Sequence, residues 1–166
     1  RLSFIKVEED GTQRLWSMSV QDAKQDLLNA GIKPVGYHAW GPNESLALFV
    51  LGEPMTLQYI NSTAQEKGKI VAKDIGRSIR YNKHLKGFSF THGPKHMLVL
   101  YHPNSDKRED LAQLPQGAEY YTWLNNDSLL SAQGTKIMRL SYSNVAQGWT
   151  EFLDVSKACQ TKVSRL

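Results

Sequence analysis

Two histidines separated by three residues, His92 and His96, form the first candidate site in the sequence. On an α-helix this spacing would place both imidazoles on one face, where they could share a metal ion. The intervening Gly93, Pro94 and Lys95 instead predict a turn, which does not provide that geometry. We therefore interpret His92 and His96 as neutral loop histidines that could contact a ligand or partner, and we predict no metal site.

A second candidate is a pair of arginines, Arg77 and Arg80, which flank the start of a predicted innermost strand. Guanidinium groups bind carboxylates and phosphates through paired hydrogen bonds, so these residues could hold an anion near a channel mouth. An ordinary surface salt bridge is the alternative interpretation.

Three acidic residues complete the candidate set: Glu53, Asp74 and Glu119. Their oxygens could hold a calcium ion at about 2.3–2.6 Å if the three side chains converged. Glu53 also lies between Gly52 and Pro54, where a tight turn explains the residue without any function. We predict ligand or partner binding for these positions and a catalytic role for none of them.

The sequence lacks the short motifs of several enzyme classes. It contains no G-x-S-x-G nucleophile elbow, no P-loop, no G-x-G-x-x-G dinucleotide fingerprint and no H-E-x-x-H zinc motif. We therefore predict no cofactor and favour a protein that is not an enzyme.

A hydrophobic pattern that repeats about every 41 residues indicates which elements position these candidates. Three sets of residues follow the period: Leu15, Leu57, Leu98 and Met138; Leu27, Ile70, Leu111 and Phe152; and Trp40, Tyr81 and Trp123. Repeats of about 40–45 residues built from four short strands are typical of propeller blades. We interpret the aromatic set as bulky filling between blades, with ligand stacking as the alternative.

Each repeat divides into four short runs that are rich in β-branched and aromatic residues and bounded by turn residues. The sequence thus predicts an all-β fold, a β-propeller of four-stranded antiparallel blades, with about four blades in a single domain or fragment. The repeats span approximately residues 1–40, 41–81, 82–123 and 124–166. Asp22–Ala30 could also be a short helix, but its Leu27 keeps the period and favours a strand. By phase, the chain opens on a second strand at Leu2 and closes on a first strand, Thr161–Leu166.

The run from Trp40 to Leu48, WGPNESLAL, resembles the TolB-type propeller repeat, in which Trp or Phe precedes Ser-Pro-Asp-Gly and an apolar strand. A weaker copy, WLNNDSLL, begins at Trp123. Glu44 stands where the family has Gly, and it is poorly suited to a left-handed backbone. The resemblance implies a six-bladed propeller in the complete protein, of which this chain supplies about four blades.

The resemblance also implies a periplasmic or secreted protein. A closed ring of four blades is the alternative architecture, because the last predicted strand could pair beside the first. The chain begins with Arg1 inside a strand-like run and ends as abruptly, which suggests a piece of a longer protein. A missing signal peptide is therefore uninformative.

Composition argues against several classes of partner. The net charge is +4, but apart from Arg77–Lys86 the basic residues are scattered, which does not favour nucleic-acid binding. No stretch of 18 apolar residues is present, so we predict no membrane-spanning segment. The single cysteine, Cys159, excludes an intrachain disulfide within this sequence.

In a propeller, the loops between second and third strands share one face with the loops that join blades, and such loops carry binding residues. We predict that this face binds a protein or peptide and that the chain is a non-catalytic binding module. Two alternatives remain: a lactonase-like or sugar-acting enzyme with a metal in the channel, and the propeller domain of a two-domain peptidase.

Overall fold

The computed structural model describes residues 1–158 and 161–165, and the fold is built from β-strands. Two short 3₁₀ turns, Pro42–Glu44 and Tyr142–Gln147, are the helical elements of this part of the chain. Within the described residues, no helix has the length and apolar character that crossing a bilayer requires.

Fifteen strands form four antiparallel sheets in which each strand pairs with its neighbour in sequence. Sheet A contains β1 (Leu2–Val7), β2 (Gln13–Met18) and β3 (Gln25–Leu27). Sheet B contains β4 (Val35–Trp40), β5 (Leu46–Val50), β6 (Thr56–Ile60) and β7 (Lys69–Lys73). Sheet C contains β8 (Ile75–Asn82), β9 (Gly87–His92), β10 (Met97–His102) and β11 (Lys107–Gln113). Sheet D contains β12 (Tyr121–Trp123), β13 (Ser128–Gln133), β14 (Lys136–Ser141) and β15 (Thr150–Asp154).

The sheets begin one strand before the repeats counted from the sequence. β4 lies in the first counted repeat but pairs with β5, and β8 lies in the second but pairs with β9. Sheet A lacks the strand that would precede β1, which agrees with the prediction that the chain opens on a second strand. That all the sheets belong to a single domain stays a prediction.

In each four-stranded sheet the second strand is the most buried and the fourth strand is the most exposed. β5 (LALFV) is buried along its whole length, which explains why its apolar residues do not alternate with polar ones. The outer strand β15 (TEFLD) is exposed throughout, with Phe152 48% and Leu153 52% accessible. The inner strands therefore form the core, and the outer strands face solvent.

The chain divides into two compact units, residues 1–75 and 76–166, each with its own core. In unit 1, the cluster between sheets A and B includes Leu15, Val35, Leu46, Leu48 and Ile60. In unit 2, the cluster between sheets C and D includes Leu98, Leu114, Tyr121, Leu129 and Leu140. Both clusters contain members of the periodic leucine set, so that set marks packing between sheets.

A register irregularity recurs at the same place in the three four-stranded sheets. It falls between Leu57 and Gln58 in β6, between Leu98 and Val99 in β10, and between Ile137 and Met138 in β14. An irregularity of this kind bends the strand and increases its local twist. In each case the extra residue lies in the fourth strand, at Val71, Leu111 and Phe152, so the sequence period extends to the local distortion of that strand.

In each unit, a tryptophan in the first strand of one sheet donates a hydrogen bond to a serine of the preceding sheet. In the first Ser–Trp bridge, Trp40 Nε1 donates to Ser3 Oγ at 2.8 Å, and His38 Nε2 lies 2.8 Å from the same hydroxyl. In the second, Trp123 Nε1 and Tyr121 Oη each donate to Ser89 Oγ at 2.9 Å. Both tryptophans thus connect neighbouring sheets, as the filling interpretation predicts, and both also make a specific polar contact.

Three local expectations can be compared with the structure. Asp22–Ala30 contains the strand β3, so the strand interpretation is confirmed, although only three residues pair. Glu44 does adopt a left-handed backbone, with φ 61°, beside Asn43 at φ 53°. The predicted strand Thr161–Leu166 is wrong for residues 161–165, which form no strand; Leu166 lies outside the described residues. There the Val163 N–H donates to the carbonyl of Gly134, which lies in a turn.

Candidate functional site

Two of the predicted site residues, Glu53 and Asp74, lie at one end of sheet B in unit 1. The loop 51–55 joins the second and third strands of this sheet, and its Met55 carbonyl accepts a hydrogen bond from the Asp74 N–H at 2.8 Å. The Leu51 N–H donates to Pro34 O at 2.9 Å, which joins the entering linker to the same loop. The expected clustering of these loops therefore occurs within unit 1.

The corresponding loops of unit 2 lie together in the same way. Residues 93–96 join β9 to β10, and residues 114–120 join sheet C to sheet D. The Leu114 N–H donates to His96 O at 3.1 Å, which ties the two segments to each other. We call residues 93–96, 114–120 and 134–135 the loop face of unit 2.

A groove of about 510 Å³ opens on the loop face. Its lining residues come from the two segments just described: Pro94, Lys95, His96, Gln113, Leu114, Pro115, Gln116, Gly117, Ala118 and Glu119. His96 and Glu119 are therefore brought to one groove, as the loop prediction expected. His92, the last residue of β9, is exposed and is not part of the groove lining.

The linker that forms one wall of the groove is anchored from below. Leu114 and Ala118, each 8% accessible, insert into the unit 2 core, whereas Gln116 and Glu119 remain exposed. The Ala118 N–H closes a turn onto Pro115 O at 2.9 Å, and Trp149 Nε1 donates to Gln113 O at 2.7 Å. Both ends of the linker are fixed by these hydrogen bonds and buried side chains. The wall of the groove is therefore positioned by the fold.

The two arginine candidates do not belong to this groove. Arg77 and Arg80 are exposed positions of β8, three residues apart, so they leave opposite faces of the strand. Arg80 Nη1 donates to the carbonyl of Ile79 at 3.0 Å. This placement does not present the two guanidinium groups to a shared anion.

The acidic candidates for a channel metal are divided between the units, with Glu53 and Asp74 in unit 1 and Glu119 in unit 2. Across residues 1–158 and 161–165, no group of three or more His, Cys, Asp or Glu side chains is arranged to hold a metal ion.

Sequence reasoning missed most of the groove. Lys95, Gln113 and Gln116 belong to no recognised motif, and their loop composition alone gave no signal. The sequence could have indicated Tyr120, at the edge of the loop face. It occupies in EYYTW (119–123) the same place that Tyr37 occupies in GYHAW (36–40). Below the groove, burial raises the pKa of the Tyr121 phenol far above its usual value, so this residue is a neutral hydrogen-bond donor.

Neither a protein-family model nor a curated protein matches the sequence. Solved structures do match. TolB from Acinetobacter baumannii superimposes with a TM-score of 0.67 at 12% identity, over 92% of this chain and 39% of that one. TolB from Agrobacterium tumefaciens gives a TM-score of 0.70 at 9% identity, over 92% of this chain and 60% of that one. The chain has a TolB-like β-propeller fold.

The four sheets are thus TolB-like blades, and the loop face of unit 2 is built from the loops and linkers of two consecutive blades. The chain spans less than two thirds of either TolB structure. A puromycin-hydrolysing peptidase from Mycobacterium tuberculosis also matches, with a TM-score of 0.60 at 12% identity, over 84% of this chain and 24% of that one. At these identities the likeness concerns the fold.

Proposed function

We propose that this chain is a non-catalytic module that binds a protein or peptide partner in the groove on the loop face of unit 2. The observation that carries the proposal is the anchored groove itself, held between the 93–96 turn and the 114–120 linker. A rigid scaffold that presents loops at fixed spacing is a common basis for recognition.

The chemistry of the lining favours a peptide. Gln113 and Gln116 each offer an amide with donors and an acceptor, which suit the N–H and C=O groups of a peptide backbone. Pro94 and Pro115 add apolar surface, while Lys95 and Glu119 carry opposite charges. This mixed and nearly neutral surface argues against nucleic acid, which requires concentrated positive charge.

The lining also argues against catalysis in the groove. Its ten residues include no Ser, Thr or Cys that could serve as a nucleophile beside His96. The predicted residues His96 and Glu119 are accordingly proposed as partner contacts, and Glu53, Asp74, Arg77, Arg80 and His92 stay predictions at other positions.

A blocking substitution tests the proposal. Peptides selected from a random displayed library on the wild-type chain are titrated against Gln116→Trp, which fills the groove from an exposed position. The matched control is Val20→Trp, which adds the same side chain at a residue that is 67% exposed in unit 1. We expect at least about a tenfold loss of affinity for Gln116→Trp and none for the control. Selected peptides that bind Gln116→Trp as tightly as wild type would contradict the proposal.

The proposed location is the periplasm or the cell surface, which rests on the TolB resemblance. Fractionation of source cells with an antibody to this chain tests it. Recovery of the native product in the cytoplasmic fraction would reject it.

A second candidate is the propeller domain of a two-domain peptidase, which the fold match to a peptidase supports. The intact mass and end sequences of the native product separate the candidates. A catalytic domain with a nucleophile elbow in that product would favour the peptidase.

A further inference from the structure

The segment 161–165, which we call the tail segment, lies against the loop face of unit 2. The Val163 N–H donates to the carbonyl of Gly134 at 2.9 Å. Gly134 lies in the β13–β14 turn with φ 63°, and a Cβ built on it meets no neighbouring atom. The turn carbonyl thus serves as the acceptor for a backbone donor of the tail segment.

Two residues further on, Arg165 binds Tyr120 in two ways. Its Nη2 donates to Tyr120 Oη at 3.0 Å, and its Cζ lies 4.6 Å from the centre of the tyrosine ring. A guanidinium group at this distance is attracted by the negative face of the ring. Ser131 Oγ donates to the Tyr120 carbonyl at 2.8 Å, so the backbone that carries the ring is held by sheet D.

The tail segment crosses its site without filling it. A cavity of about 200 Å³ remains between residues 117–120 and Ala132 on one side and residues 162–164 on the other. Residues 162–165 are neither helix nor strand. The contact therefore includes one backbone hydrogen bond and one arginine–tyrosine pair, with the cavity beside them.

We propose that the tail segment is an intramolecular ligand of a site for extended, arginine-bearing peptides. The Gly134 carbonyl receives a backbone N–H, and Tyr120 receives an arginine two residues later, as Val163 and Arg165 show in the chain itself. A peptide partner that carries arginine two residues after a backbone N–H donor has the spacing of the tail segment and can reproduce both contacts. This inference rests on the proposed function, because it names the peptide chemistry for the part of the loop face beside the groove.

The tether gives the tail segment an advantage over a free peptide. A segment held on a short linker has an effective concentration on the order of millimolar at its own site. The tail segment occupies the site in most molecules, and a free peptide can bind only the remaining, open fraction. The apparent affinity of the free peptide therefore equals its intrinsic affinity multiplied by that open fraction. Weakening the tail contact should raise that fraction and strengthen binding of the free peptide.

The experiment is an NMR titration of the full ¹⁵N-labelled chain with the hexapeptide Thr-Lys-Val-Ser-Arg-Leu, followed at the amides of Tyr120 and Thr135. We expect Arg165→Ala to bind this peptide at least about threefold more tightly than wild type. The matched control is Lys157→Ala, which removes one positive charge at an exposed residue outside the tail segment and the cavity lining. A peptide with Ala in place of Arg should bind neither chain.

Substitutions of the ring separate stacking from a general effect of charge. Tyr120→Phe keeps the aromatic face and should retain most of the peptide binding in the Arg165→Ala background, whereas Tyr120→Leu should lose it. Equal binding by wild type and Arg165→Ala, or an equal gain from Lys157→Ala, would overturn the inference. If library peptides still require Gln116 in that case, the inference fails while the proposed function stands.

Discussion

The two Ser–Trp bridges have the same spacing but differ in their middle residue and in burial. His38 precedes Trp40 by two residues, and Tyr121 precedes Trp123 by two. Ser89 and Tyr121 have no exposed surface, whereas Trp40 is 36% exposed and His38 is only partly buried. In the buried bridge Ser89 accepts two hydrogen bonds and donates a third to Arg80 O at 3.3 Å. The same kind of connection between blades is thus a buried polar network around Ser89 and a partly exposed bridge at Ser3, where His38 can titrate.

The largest difference should follow from removal of the serine hydroxyl. Ser89→Ala removes the acceptor of the half-buried Trp123 indole and leaves the buried Tyr121 hydroxyl with only a long bond to Ser78 O at 3.4 Å, and we expect it to lower the free energy of unfolding by about 2–4 kcal/mol. Ser3→Ala should cost about 1 kcal/mol, since water can reach the partly exposed Trp40. Urea denaturation of both variants measures the two values. Equal losses would mean that burial does not distinguish the bridges.

Removal of the tyrosine hydroxyl should have a smaller effect. Tyr121→Phe deletes one donor to Ser89 but leaves Trp123 in place, and we expect a loss of about 1–2 kcal/mol in the free energy of unfolding. Tyr37→Phe is the control, because the Tyr37 ring packs edge-on against Phe49 and its hydroxyl bonds to none of the described residues. A comparable loss for Tyr37→Phe would assign the effect to something other than the bridge.

The contribution of the first bridge to the free energy of unfolding should depend on pH. Burial lowers the pKa of His38 below its usual value of 6.5, so the folded state binds this proton less readily than the unfolded state. The contribution of neutral His38 to the free energy of unfolding is therefore complete above about pH 6.5, the usual pKa of histidine. It falls as the pH drops below that value and stops changing once the pH is below the pKa of the folded state. The difference in free energy of unfolding between wild type and His38→Gln, measured from pH 8 to pH 5, should shrink in that direction. A constant difference would show that His38 does not titrate on unfolding.

The smallest expected effect is a change in the quenching of tryptophan fluorescence. Trp40 is more accessible than Trp123, so Trp40→Phe should lower the acrylamide quenching constant of the remaining tryptophan fluorescence. Trp123→Phe should instead raise it, since it removes a protected indole from the average. The opposite order would reverse the exposures assigned to the two bridges.

The propeller could be predicted from the sequence because its signal is distributed over many residues. Each blade places apolar residues at the same steps, and the period persists even at the strand irregularities beside Leu57, Leu98 and Met138. The short strand at Gln25–Leu27 also depended on the period, since its own composition suggested a helix. The full number of blades stays a prediction.

The site could be predicted only in outline. Propeller geometry correctly grouped His96 with Glu119, because both lie in loops of one face. It could not identify Gln113 or Gln116, since their role depends on how Leu114 and Ala118 anchor the linker. The tail segment was predicted as a strand from the phase of the repeat, yet it contacts a turn carbonyl and a tyrosine ring.

The exposed outer strands have a consequence for behaviour at high concentration. An unpaired sheet edge invites pairing with another molecule, and Phe152 and Leu153 would favour such contact. Glu151 and Asp154 flank this pair, and the Ser156 N–H that donates to Asp154 at 2.8 Å holds the pKa of that carboxyl below its usual value. Asp154 therefore keeps its negative charge into mildly acidic solution, whereas the Glu151 carboxylate is paired with Lys136 Nζ at 2.6 Å. We therefore expect the repulsion between two such edges in mild acid to depend on Asp154 rather than on the net positive charge of the chain.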